Sequence, residues 1–334
     1  MQYTAHSTAQ LIQLLTEARY GDCLRLSSLG SDFPVAGTLT LTQPGLTLDC
    51  GGAVLRQLTE KTTTLKINAD GTRLINARFV GLGTETPWAN ASTEYNGVAG
   101  VRIESSDDVL VEGCSFSNHA GSSLALVGRC VGTSIHRNHI YGMGASHIKQ
   151  HDNGCDGGIT ITGNTDTKHG LRITDNYITG HAFGLFTPAG VGIVIANNVI
   201  RGIPGQHGMY IVQGGDMVIA NNVVADCAVV GIKIQHQLPE DVKCVAKICG
   251  NTVTRIGYFG IAIMGAAAGV DWHTTNIMVT DNSVVDAQKG IYIRYARNAV
   301  VTGNRLADCE DGLHVLDSTG VFEPNYVMHG MIAD

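Results

Sequence analysis

The chain has 334 residues, a net charge of −7, 44% hydrophobic and 15% charged residues, 42 glycines and 7 prolines. So much apolar material with so little charge excludes a disordered chain, and the acidic balance excludes a general nucleic-acid binder, which needs a basic face to release counterions. An acidic ligand would therefore have to find a local cationic patch.

The start, MQYTAHSTAQ, lacks a charged-then-apolar leader, and no apolar run is long enough to cross a membrane. Synthesis in the cytoplasm without membrane insertion is expected. In STAQLIQLLTEARYGD, Ser7 and Gln10 stand in capping-box spacing, Leu11, Leu14 and Leu15 are apolar, and Gly21 follows. This predicts a short helix that covers the first rung of whatever follows, which would otherwise be a bare sheet edge. Residues 1–45 read as this cap with the first strands, 46–317 as a repetitive body and 318–334 as a tail. The nine cysteines, odd in number and without a CxxC pair, read as small buried apolar side chains in a reducing compartment.

TLTLTQPGLTLDCGG and TTTLKINADGTRLINARF look like irregular early rungs. Beyond them the chain repeats itself: GIVIANNVIRG at 192–202 returns as DMVIANNVVAD at 216–226. The frame is Ile195-Asn198-Ile200, and it recurs around Asn138, Asn176, Asn222, Asn251, Asn282 and Asn304, with Cys114 in the Asn place upstream. A second frame, Gly-apolar-any-apolar, interleaves with it at Gly100, Gly158, Gly184, Gly208, Gly231, Gly260, Gly290 and Gly312. Period-2 apolar alternation predicts strands, and a repeat every 22 to 24 residues predicts a solenoid whose coils stack in parallel. Each Asn is then a turn residue that hydrogen-bonds the copies above and below, a structural role.

This "GIxI … IxxNxI" rhythm, over about residues 97–317, resembles the parallel-β-helix repeat of the right-handed parallel β-helix superfamily. The resemblance implies an all-β, right-handed solenoid of roughly ten coils or more with an N-terminal capping helix. It also implies action on long polysaccharides, since pectate-lyase-like lyases, uronan C5-epimerases, glycoside hydrolases and phage tailspikes share the rhythm. The row of Asp/Glu that holds calcium in pectate-lyase-like members is missing, so no cofactor is expected. The Tyr-x-x-Asp-Pro-His-like motif of C5-epimerases is missing too, and the metal set His147, His151 and Asp152 lies among loop glycines, which suits a metal poorly.

Function is expected where the rhythm breaks, because loops on a rigid scaffold carry it. The step from a frame Gly to the next Asn is 14 residues at Gly184 and Gly208 but 18, 20 and 22 at Gly158, Gly231 and Gly260. The step from Asn138 to Gly158 is 20, and YGMGASHIKQHDNGCDG is the excess. A similar excess precedes Gly100. These insertions would raise two walls beside the Gly strand, whose outward residues form the floor.

Alternation turns outward Arg102, Ala125, Thr160, Phe186, Tyr210, Lys233, Ala262, Tyr292 and His314, followed by Glu104, Gln235, Met264 and Arg294. His181 and His207 stand just before their strands. Phe186 and Tyr292, with Trp272 from an insertion, would stack on sugar rings, while His181, Gln235 and Arg294 would read hydroxyls and carboxylates. The alternative is an aromatic ladder packed along the stack.

Two chemistries remain open. β-Elimination, favoured here, would use Tyr210 or His207 as acid/base and Lys233 to neutralise a uronate carboxylate. Hydrolysis would use Asp152 and Asp156 as the carboxylate pair. The expected protein is a tailspike-like β-helix that binds and cleaves an acidic cell-surface polysaccharide. It would be a homo-oligomer, a trimer by resemblance, carried on a phage particle or released by lysis. The other readings are a spike that binds without cutting, and a uronan lyase or C5-epimerase.

Overall fold

A computed structural model describes residues 1–27, 30–83, 98–143, 157–162, 168–187, 190–212, 215–235, 245–265 and 274–328. Its organising element is a two-residue turn. From Cys114 to Asn304 the residue before each ladder position has positive φ, as at Arg137, Asp175, Asn197, Asn221 and Asp281, or is a glycine at positive φ, as at Gly113, Gly250 and Gly303. Asn, Asp and Gly tolerate that left-handed conformation best, which explains why they dominate this column. The turn swings the chain from one strand, such as Val194–Ala196, into the next, Val199–Ile203.

The ladder residue then closes the turn against its neighbours. Asn176 donates from its backbone N–H and from Nδ2 to Asn198 Oδ1, and Asn198 does the same to Asn222 Oδ1. The pattern runs from Asn138 to Asn304 and ends on Asn325, while Cys114 donates its N–H to Asn138 Oδ1. Each Nδ2 also donates to a backbone carbonyl of the preceding rung, such as Ile173 for Asn198. These side chains are 0–1% exposed from Asn138 to Asn304, so a buried amide could not remain there unless paired.

Every strand pairing among the described residues is parallel. A 13-stranded sheet runs from Gln2–Ala5 to Gly320–Val321. A 20-stranded assembly holds the other two strands of each rung, which merge toward the end into long bent strands such as Thr252–Met264 and Arg305–Leu316. Between them lies one continuous core of stacked aliphatic rows. Ile173, Ile195, Ile219 and Ile248 line one wall, and Ile178, Ile200, Val224 and Val253 the other, each at most 1% exposed. Burying each such side chain contributes about 1.5–3 kcal/mol. Cys50, Cys114, Cys130, Cys227 and Cys309 are buried free thiols, as their reading as small apolar residues requires.

Helix α1, Thr8–Glu17, is the expected cap. Ser7 Oγ accepts from the Gln10 N–H and Gln10 Oε1 accepts from the His6 N–H, while Leu11 and Leu15 are buried. It packs on the first strands, Gln2–Ala5, Asp32–Val35 and Leu39–Leu41. At the other end, Gly320–Val321 and Tyr326–Met328 add strands to both sheets, and Asn325 extends the ladder into the segment that pattern alone leaves as a tail.

Candidate functional site

Glycine sets the geometry of the face that carries the candidate site. A Cβ at Gly208 would lie 2.5 Å from Val224 Cγ1, 2.7 Å from the Gly231 carbonyl oxygen and 3.0 Å from Cys227 Sγ. The same obstruction by a core methyl recurs at Gly158, Gly184, Gly231 and Gly260. No positive φ is involved at these positions; the glycine is required because the core of the facing strand comes too close. The chain bends there, and the residue before the glycine comes to share the outer face with the residue two after it. Strict alternation would put those two on opposite faces.

Two neighbouring columns result. Register pairs Arg102, Ala125, Thr160, Phe186, Tyr210, Lys233, Ala262, Tyr292 and His314 in succession, the column expected from the sequence. Beside it run His207, Val230, Phe259, Lys289 and Asp311.

At the centre of the face, Tyr210 donates its hydroxyl proton to Gln235 Oε1 at 2.8 Å. Lys233 Nζ sits 4.3 Å from the centre of the Tyr210 ring, a cation–π contact. The His207 ring meets Tyr210 edge-on at 5.0 Å, and Phe183 and Phe186 close the cluster at 6.1 and 5.5 Å from the same ring. Burial pushes the Tyr210 phenol up and the Lys233 ammonium down. Burial, with the charge of Lys233 adding, holds the His207 imidazole down to about 3. His207 is 6% exposed, and its Nδ1 is buried without a hydrogen-bond partner.

Nearer the C-terminus, Phe259, Tyr292 and His314 stack with nearly parallel rings, 4.7 and 5.5 Å apart. Asp311 Oδ2 lies 2.6 Å from His314 Nδ1 and 3.3 Å from Lys289 Nζ. Nearer the N-terminus, Arg102 and Lys66 both pair with Glu104, and the Lys66 hydrogen bond, with Arg102, holds that carboxyl below its usual range.

The structure thus brings together His207, Tyr210, Lys233, Gln235 and Phe186. It places Arg294 on the same face, with Nη2 donating to the Tyr295 hydroxyl at 2.9 Å. Two residues expected to meet a sugar are turned from solvent. His181 is fully buried, with Nε2 3.1 Å from Ser123 Oγ, and Tyr292 is 7% exposed because its ring faces are taken by Phe259 and His314. At Tyr292 the ladder therefore replaces the platform. Asp152, Asp156, Trp272, His147 and His151 lie outside the described residues, as do most of the insertions expected to form walls. Sequence reasoning missed Lys289 and Asp311. The signal was there in the repeated any-Gly-apolar-any unit, as in Asp311-Gly312-Leu313-His314, but only the bend at glycine makes its ends neighbours.

Comparison with known proteins follows the same lines. A family model described as "NosD: Periplasmic copper-binding protein (NosD)" matches residues 168–329, 162 of the 334. No curated protein sequence matches. Among solved structures, an exopolygalacturonase of Thermotoga maritima superposes with a TM-score of 0.70 at 10% identity, over 97% of this chain and 87% of its own. An alginate lyase of Paenibacillus sp. superposes with 0.56 at 16% identity, over 98% of both chains. The Dettilon tailspike protein superposes with 0.52 at 17% identity, over 97% of this chain and 64% of its own, so the chain spans less than two thirds of that tailspike. These likenesses show the fold, a right-handed parallel β-helix along nearly the whole chain.

Proposed function

We propose that the chain holds an acidic polysaccharide along the Gly-strand face and cleaves it by β-elimination. One observation carries this reading: Lys233, a cation with no ion-pair partner among the described residues, lies against Tyr210, a phenol with a proton to give. The protein as a whole is acidic, so this local cation is what a uronate carboxylate would find. Pairing with Lys233 neutralises that carboxylate and acidifies the adjacent C5 proton. Neutral His207 accepts the proton once the Tyr210 ring turns aside, the electron pair becomes the C4=C5 double bond, and the C4–O bond breaks. Tyr210 gives its proton to the departing oxygen.

The fold shared with an exopolygalacturonase, an alginate lyase and a tailspike supports a polysaccharide as partner. A homo-oligomer on a phage particle, released by lysis, is the setting that suits the tailspike form of this reading. Val321, Tyr326 and Val327 are exposed apolar side chains near one another in sequence, which supports an oligomer. The near-complete burial of His207 favours a second reading, a face that binds the glycan without cutting it. Copper, carried in the name of the matching family, does not suit the described residues. No three His, Cys, Asp or Glu side chains among them converge to hold a metal. Burial pushes the Cys114 and Cys227 thiols up to about 12, far from the thiolate a metal needs.

The test offers the purified protein a panel of acidic capsular polysaccharides and exopolysaccharides. The ultraviolet absorbance of an unsaturated uronate is followed beside the release of reducing ends. A rise in both supports elimination; reducing ends alone would overturn it in favour of hydrolysis, and binding with neither would establish the second reading.

A further inference from the structure

Three rungs beyond Lys233, about 14 Å along the axis at the 4.8 Å strand spacing, the same face carries a second set of ionisable groups. Asp311 Oδ2 lies 2.6 Å from His314 Nδ1. Lys289 Nζ also lies 3.3 Å from His314 Nδ1, but the carboxylate contact is far shorter and a carboxylate only accepts, so the neutral imidazole in this arrangement carries its proton on Nδ1 and leaves the Nε2 lone pair open. Nε2 makes no hydrogen bond among the described residues and is not sealed from solvent, and the side chain is 31% exposed. The ring is held by its stack on Tyr292, 5.5 Å away and 16° from parallel. Lys289 Nζ, 3.3 Å from Asp311 Oδ2, keeps that carboxylate compensated. An imidazole with one nitrogen fixed by a carboxylate and the other free is the arrangement of an oriented general base. At the central cluster the imidazole is shut in; here it is open.

A cation suited to a carboxylate stands beside it. Arg294 pairs in register with Leu316, two residues from His314 on the neighbouring strand, and its guanidinium is steadied by the Tyr295 ring 4.6 Å away. Arg294 Nε is buried without a hydrogen-bond partner.

We infer that His314, oriented by Asp311, is a second acid–base centre on this face, which removes the C5 proton of a uronate unit whose carboxylate Arg294 holds. The inference rests on the acidic-glycan reading above. In the step, the C5–H bond breaks, the proton passes to His314 Nε2 and the electron pair delocalises into the paired carboxylate. His314 exchanges that proton with water and returns one to C5, or the pair closes the C4=C5 bond while the C4–O bond breaks and the departing oxygen takes a proton from water. No reactant other than water is needed.

The full chain is incubated in D2O with oligogalacturonate, oligoalginate and oligoglucuronate. Deuterium at C5 is read by NMR, and unsaturated product by ultraviolet absorbance. At least one probe should gain C5 deuterium or unsaturation. His314→Gln should lower that rate by about 100-fold or more, the usual weight of a general base. Asp311, a positioning residue, is tested by Asp311→Asn. It should lower the rate at saturating probe by about tenfold or more while KM stays within about twofold, since orientation and not binding is lost. Both variants alter partly exposed side chains and should keep the wild-type circular dichroism. Unsaturated product formed at the wild-type rate by His314→Gln overturns this inference and leaves the Tyr210 centre standing. C5 exchange that depends on His314 without unsaturated product supports the inference and overturns elimination. Neither exchange nor product from any probe overturns both.

Discussion

Two donors of Asn176, its backbone N–H and its Nδ2, converge on a single atom, Oδ1 of Asn198, at 3.0 and 2.9 Å. Asn198 meanwhile donates to the Ile173 carbonyl at 2.8 Å and to Asn222 Oδ1 at 3.0 Å. One carboxamide thus serves three consecutive rungs, which is why the chain repeats the residue and not merely its polarity.

Removing that carboxamide strands partners on both sides. Asn198→Ala leaves two buried donors of Asn176 unpaired, each costing about 1–3 kcal/mol, so a loss of about 3 kcal/mol or more is expected. Asn325→Ala, at the half-exposed end of the ladder, should cost about 1 kcal/mol because water can replace what is lost. Urea midpoints of the two variants against the parent protein check the ordering, which a merely polar turn role would not produce.

At Gly208 the expected damage is steric. An alanine Cβ would press on Val224 Cγ1, the Gly231 carbonyl and Cys227 Sγ, and overpacking of this kind costs about 1–3 kcal/mol. Val224→Ala alone also destabilises, by opening a cavity. Combined with Gly208→Ala, the two costs should add to less than their sum, because the missing methyl makes room for the new one. Additive costs in a thermal-unfolding cycle would mean that the bend, and not the close approach, requires glycine.

The same glycine marks how far the sequence could be read. The Asn ladder and the outward column from Arg102 to His314 are legible because spacing alone defines them. The grouping of His207 with Tyr210 and Lys233 is legible as well, but the partnership of Asp311 with His314 is not, because it depends on a bend at Gly312 between residues three apart that a period of two assigns to opposite faces. Burial was the other blind spot. A frame position tells which way Tyr292 leaves its strand, but not that Phe259 and His314 take both faces of its ring. His181 stands just before the strand Phe183–Thr187, in the place where a groove residue is expected, yet it pairs inward with Ser123.

Acid should weaken the fold through two histidines. Burial holds both His119 and His207 down to about 3, from an ordinary value of 6.5 in the unfolded chain. Between those limits the unfolded state binds more protons, so the stabilisation is complete above pH 6.5 and is lost as pH falls toward 3. Each histidine should contribute about 1.4 kcal/mol per pH unit within that window. The thermal midpoint should therefore drop steeply between pH 6.5 and 5, and His207→Asn should reduce that slope by roughly half. An unchanged slope would show that His207 titrates normally in the folded protein.

Lys233 separates charge from packing in a way the other site residues do not. Its ammonium lies over the Tyr210 ring, 4.3 Å from the centre, and is the feature proposed to meet a carboxylate. Lys233→Met keeps the bulk and removes the charge, so stability should change little while affinity for an acidic glycan falls about tenfold, the loss of one charge-assisted contact. Added salt should weaken binding by the parent protein more than by the variant, because the screened attraction is the one removed. Tyr210→Phe should act on the other term, leaving affinity within about twofold and lowering turnover by about 100-fold, since only the proton is gone. Equal losses of affinity in both variants, with any turnover intact, would identify the face as one that grips its ligand without cutting it.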